Sequence, residues 1–141
     1  MKTKIIKTIL PTIVGIFTVL VLLAIFNLIV YNGDAFNQPD DGFFNYFVPF
    51  VTIIAMLIQF TLTLPFREKF KSRNKVWGLT LIQFTGLISI VAGLAFGLVF
   101  WETNLGIIEL IGVTITGIIA FAVYFTSNLL TLKQLDKILK Y

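Results

Sequence analysis

Four long apolar blocks, at 9–31, 44–66, 76–101 and 105–132, leave this chain almost no choice of architecture. Each reaches or exceeds the ~20 residues a helix needs to cross ~30 Å of hydrocarbon. A spanning segment must satisfy its own backbone hydrogen bonds, so only helices and closed barrels cross a bilayer. Period-2 alternation is absent and a barrel needs at least about eight strands, which leaves helix. Composition agrees, with 57% hydrophobic and 13% charged residues, where a soluble domain has about 45–50% and about 25%. A chain of 141 residues has a high surface-to-volume ratio and cannot hide that much apolar surface in a water-soluble core. The expectation is an all-α membrane protein, with four transmembrane helices in an antiparallel up-down bundle. It forms a single domain over 1–141.

Charge placement sets the expected orientation. Lys2, Lys4 and Lys7 precede the first block, and Arg67, Lys69, Lys71, Arg73 and Lys75 fill the second connection. Lys133, Lys137 and Lys140 follow the fourth block, which accounts for all 11 basic residues. The other two connections hold Asp34, Asp40, Asp41 and Glu102 instead. Basic residues mark the cytoplasmic side, so the sequence predicts a multi-pass protein of the cytoplasmic (inner) membrane with both termini inside. The pI of about 9.5 then reflects orientation and contact of Arg67, Lys69, Lys71, Arg73 and Lys75 with anionic lipid, with no nucleic acid implied. The first block is too long for the ~7–15-residue core of a signal peptide, and no A-x-A site follows it.

Tyr31, Tyr46 and Trp101 fall at the outer interface and Trp77 at the inner one, as aromatic belts do. Segment 32–42 has turn composition, and the turn at 101–104 is tight enough to make blocks three and four an antiparallel hairpin. Pro11 and Pro49 lie early in their helices, where a missing N–H is tolerated. Pro65, just before the basic connection, reads as the end of span two. The sequence leaves no segment for a soluble domain.

Much chemistry is excluded at once. Without Cys there are no disulfides, iron–sulfur clusters or thiolate zinc sites. Without His the commonest metal ligand and general base are missing. No P-loop, paired intramembrane acids or metal-ligand spacing appears, so no catalytic residue, metal or cofactor is expected. The length is similar to that of small multidrug-resistance exporters, but their carboxylate deep in the first helix has no counterpart among Thr12, Thr18 and Asn27.

Three features remain as candidates. Gly86, Gly93 and Gly97 share one side of the third span with Gly78, Ile82 and Ser89, and Gly93–Gly97 is a GxxxG pair that admits another backbone. Gly112, Thr116 and Ala120 offer the same spacing on the fourth span, with Gly112 expected level with Gly93. The groove serves either the internal hairpin or a helix of another chain or copy. Secondly, the pentapeptide LIQFT occurs at 57–61 and again at 81–85, placing Gln59 and Gln83 symmetrically about the basic connection. They are expected to bond each other across neighbouring helices, or to line a polar pathway. Thirdly, Glu109 is the single acid inside a block. It is either a solvated first-turn residue that complements the helix dipole or a proton, cation or intersubunit site, with Asn27 at similar depth.

The tail at 130–141 places Leu132, Leu135 and Leu139 on one face with lysines elsewhere, a short basic amphipathic helix. It lies along the membrane or extends span four. Two functional classes follow. One is a small non-catalytic subunit that packs against, stabilises or regulates a larger membrane complex. The other is a small homo-oligomeric transporter or channel using Glu109, Asn27, Gln59 and Gln83. The partners expected are the lipid bilayer and either other membrane subunits or further copies of the chain.

Overall fold

The computed structural model describes residues 2–30, 48–101 and 106–139. Expectations that rest on Met1, Tyr31, Tyr46, Glu102, Lys140, Tyr141, the acidic connection at 32–42 or the side chains of Lys2 and Asn27 lie outside the described residues.

The described chain is helical. In order, α1 is Lys2–Val30, α2 is Val48–Ile58, a π-helical turn covers Gln59–Thr63, α3 is Leu64–Arg73, α4 is Leu81–Phe100 and α5 is Gly106–Ile138. Four stretches are long and apolar enough to cross a membrane: Thr3–Phe26, Val51–Arg73, Leu81–Phe100 and Gly106–Ile138. The distribution of burial is the reverse of a soluble core. Thr12, Gln59, Ser89 and Asn128 are buried, whereas Phe17, Ile29, Ile82, Val99 and Ile108 are exposed. Acyl chains solvate aliphatic surface as well as a protein interior does, so in a bilayer it is polar groups that gain most from burial against protein.

The second expected span ends later than its hydropathy suggests. Pro65 does not close the helix, because α3 carries it on to Arg73. A proline N–H is missing for the carbonyl four residues earlier, and its ring presses on that carbonyl. The chain answers with one widened turn just before it, in which Leu64 N–H donates to Gln59 O, five residues back. The basic residues Arg67, Lys69, Lys71 and Arg73 are therefore helical, and the connection shrinks to 74–80.

That connection is a two-residue hairpin. Val76 N–H donates to Leu79 O at 3.0 Å and Leu79 N–H returns to Val76 O at 3.1 Å. Trp77 (φ 53°) and Gly78 (φ 77°) occupy its tip, the doubly left-handed pattern of a type I′ turn. Glycine takes this conformation freely, but a tryptophan there is held against a preference of about 1–3 kcal/mol. α4 then starts with a capping box. Thr80 Oγ1 accepts from Gln83 N–H, and Gln83 Oε1 accepts from Thr80 N–H at 2.9 Å.

The chain divides into two compact units, residues 1–66 with 127–141, and residues 67–126. In the first, α1 packs on α2 and the π turn, and Leu132 and Leu135 of α5 are buried. The tail thus continues α5 and packs by Leu132 and Leu135, whereas Leu139, expected on the same face, is exposed. In the second, α4 and the N-terminal part of α5 form an antiparallel hairpin, and Phe70 of α3 stacks on Phe84 with centroids 5.3 Å apart.

Candidate functional site

The first unit contains a polar clasp joining three helices, and its origin is a proline. Pro11 lies inside α1 and has no N–H, so the carbonyl of Lys7 loses its usual helical donor. Within a membrane helix a carbonyl freed in this way is served by a neighbouring helix, a Ser or Thr side chain or an ordered water. Here Gln59 of the π turn serves it, with Nε2 donating to Lys7 O at 3.4 Å. The same Nε2 donates to Asn128 Oδ1 at 3.1 Å, and Asn128 Nδ2 donates back to Gln59 Oε1 at 3.0 Å. Both amide hydrogens of Gln59 are thereby used. Gln59 is 1% exposed and Asn128 0%, so neither amide has solvent to fall back on.

The rest of the clasp follows the same logic. Thr8 and Thr12 are buried and turn their hydroxyls onto Lys4 O and Thr8 O, at 2.9 and 2.8 Å. About two turns beyond Asn128 on α5, Asp136 Oδ1 meets Lys7 Nζ at 2.7 Å. The π turn is what aims Gln59 inward, since an inserted residue rotates the helix face preceding it.

Gln59 and Gln83 do not meet. The sequence pairs them by symmetry about the basic connection, but Gln83 is exposed and occupied in the capping box with Thr80. The partner of Gln59 is Asn128, which the symmetry argument passed over. Two signals pointed to it: Asn128 is the amide of the fourth block, and Pro11 leaves an unserved carbonyl in the first.

The second unit holds its helices by the opposite device. A Cβ built on Gly93 falls against Ile118 Cγ1 and lies 2.6 Å from Ile118 N and 2.7 Å from its Cα. One on Gly97 falls against Thr114 Oγ1, with Thr114 Cβ at 2.9 Å, and one on Gly117 lies 2.9 Å from Phe96 Cδ1. Phe96 also meets Phe121 edge-on at 6.4 Å. The GxxxG pair of α4 is therefore filled by α5 of the same chain. The face it meets is Thr114, Gly117, Ile118 and Phe121, not Gly112, Thr116 and Ala120. Gly93 stands level with Gly117 and Ile118, later in the chain than counting from a turn at Thr103 placed it. Gly86 and Gly112 are exposed, and a Cβ on either meets nothing within 4 Å. Thr116 and Ala120 are half-buried, and Thr116 Oγ1 donates to Gly112 O at 2.9 Å.

Glu109 lies in the first turn of α5 and is half-buried. Its Oε2 is shielded and finds no hydrogen-bond partner among the described residues. Its expected neighbour Asn27 lies outside the side chains described. Nearby, Trp101 Nε1 donates to Gly106 O at 3.0 Å and ties the end of α4 to the start of α5. Arg67, Lys69, Lys71, Arg73 and Lys75 follow one another along α3 and into the Trp77 turn. No group of three or more acidic side chains that would hold a metal ion occurs among the described residues.

No family model matches the chain, and neither a curated protein nor a solved structure is similar to it.

Proposed function

We propose that the chain is a small non-catalytic membrane subunit that packs against, stabilises or regulates a larger complex. In this reading its four helices form an antiparallel up-down bundle in the cytoplasmic membrane, with both termini inside as the basic residues direct. The observation that carries it is the state of the spanning amides. Gln59 and Asn128 bond each other and a proline-freed carbonyl, so they hold helices together and do not line a route for a solute. Gly86 and Gly112 add support, because their open glycine surfaces let a foreign helix approach closely.

The test is purification of a tagged chain from its own membrane in mild detergent. A co-purifying membrane protein is expected, and it should be lost from Gly86→Leu or Gly112→Leu while the chain itself stays folded. Recovery of the chain alone, with both variants indistinguishable from the parent, would reject the reading.

Glu109 favours a second reading. A shielded carboxylate oxygen without a partner among the described residues is the kind of group that binds a proton or cation in a transporter. Reconstituted vesicles decide between the two. A pH-dependent ion flux that disappears in Glu109→Gln, with assembly intact, would promote the transporter.

A further inference from the structure

Beyond either function, we propose that α3 and the turn after it form a headgroup site for anionic phospholipid. The bases come as helical neighbours. Arg67 and Lys71 are four apart, as are Lys69 and Arg73, so each pair shares a side of α3. Phe70 lies between Arg67 and Arg73 around the helix, is buried, and packs on Phe84 of α4. The buried stripe is thus flanked by guanidinium groups, whose planar forks match phosphate oxygens better than any other side chain.

The indole of Trp77 completes the arrangement. It is 78% exposed, although its ring also touches Phe84 at 6.2 Å. Its backbone is left-handed, a conformation that a substituted residue adopts only when the surroundings impose it. The fold therefore presents a large amphipathic ring at the tip of a rigid turn, next to Lys75. From Leu81 onward α4 shows exposed aliphatic groups, with Ile82, Leu87, Ile90 and Val91 among them. Acyl-chain surface therefore begins within a turn of helix from the indole, and the bases of α3 lie alongside it, since Phe70 between them packs on Phe84 of α4. Aliphatic surface, an exposed indole and basic groups gathered at one end of a helical hairpin are the components of a membrane interface. The occupant is a lipid headgroup, because only a ligand anchored in the bilayer meets the aliphatic face and the bases together. Its net charge is negative, because the stretch 67–75 holds five bases against the single acid Glu68.

The experiment uses the full chain in mild detergent, titrated with phosphatidylglycerol or phosphatidylcholine. Retained lipid is counted by native mass spectrometry. Trp77 emission is followed in the Trp101→Phe background, where it is the sole indole. Phosphatidylglycerol should be retained in preference and should shift Trp77 emission to the blue. Arg67→Gln with Lys71→Gln, and separately Lys69→Gln with Arg73→Gln, should weaken retention roughly fivefold per base removed. Lys133→Gln with Lys137→Gln, on the exposed side of the α5 tail, should leave it unchanged. Should one pair impair folding, the other decides. Three outcomes overturn the proposal: no preference between the lipids, equal weakening by the α5 control, or displacement of lipid by millimolar inorganic phosphate. The last would assign the bases to a free anion.

Discussion

In the first unit three helices meet through amide side chains, whereas in the second two helices meet because side chains are missing. Both are answers to one problem. Lipid is as apolar as leucine, so burying leucine between helices gains little, and association rests on close packing and interhelical hydrogen bonds. The amide clasp is directional and tolerates distance, since Gln59 reaches Lys7 O across 3.4 Å. The glycine contact is steric and tolerates none, since the backbone of Ile118 sits within 2.7 Å of where a Gly93 Cβ would be. The two should therefore fail differently when mutated. One loses a bond while keeping its shape, and the other loses its shape.

The largest effect is expected at the glycines. Gly93→Leu sets a branched side chain against backbone atoms that cannot rotate away, and overpacking of this kind costs about 3 kcal/mol or more. Reversible unfolding in bicelles should show the loss, and Gly86→Leu, in open space, should stay within about 0.5 kcal/mol of the parent. Equal cost at both positions would mean that α4 and α5 do not approach as closely as described.

The clasp should respond next. Asn128→Leu leaves the Gln59 amide in a dry site with one partner, and Gln59→Leu strands both Asn128 and Lys7 O. Each change should cost ~1–2 kcal/mol in the same assay. The double replacement should cost less than the two added, because an apolar pair leaves no amide unsatisfied. Additive losses would separate Gln59 from Asn128. A substitution at Gln83 sharpens the contrast. Gln83→Leu removes one arm of an exposed capping box and should cost only ~0.5–1 kcal/mol, although Gln83 sits in the same pentapeptide as Gln59.

That contrast shows what a sequence exposes and what it conceals. The four blocks were legible because hydropathy over a span is a sum, and sums survive local error. The end of span two was not, since hydropathy stops at the membrane surface while a helix need not. Gln59 and Gln83 read as equivalents because identical neighbours surround them. What separates them is longer in range: a π turn ahead of Pro65, and a helix start fixed by Thr80. The T-x-x-Q pattern of Thr80 and Gln83 was available as a capping signature but was masked by the repeat. The GxxxG pair was legible as a contact, yet the face of α5 that fills it depends on the register of the hairpin, and counting residues from the turn set Gly93 beside Gly112 where it meets Ile118. Glu109 was visible as an isolated carboxylate, but its shielded oxygen depends on packing that no local pattern encodes.

The role of Pro11 is a subtler test of the clasp. Pro11→Ala restores the N–H that Lys7 O lacks, so the second hydrogen of Gln59 is no longer needed. Gln59→Leu should then cost ~0.5–1 kcal/mol less in the Pro11→Ala background than in the parent. The cycle cancels whatever helix propensity the alanine adds by itself. An unchanged cost would mean that the carbonyl of Lys7 gains nothing from Gln59, and the clasp would reduce to the amide pair.

The smallest effect is expected at the Lys7–Asp136 pair, and its change between backgrounds is the informative part. Asp136 stands in the last turn of α5, where the helix dipole disfavours a negative charge. The Lys7 ammonium 2.7 Å away offsets that cost. With Lys7 present, Asp136→Asn loses the ion pair and regains the dipole term, so a net cost of at most ~0.5 kcal/mol is expected. In a Lys7→Gln background that ion pair is already gone, so the same Asp136→Asn change should cost ~0.3–0.5 kcal/mol less than in the parent. Added salt should shrink both values, since the two side chains remain 25% and 14% exposed and screening reaches them. In the second unit, the cost of Gly93→Leu should not move with salt, because it is steric. An Asp136→Asn cost that is equal in both backgrounds and insensitive to salt would show that the Lys7–Asp136 pair does not tie α1 to α5. Among the polar contacts described between helices of the first unit, the amide clasp would then stand alone.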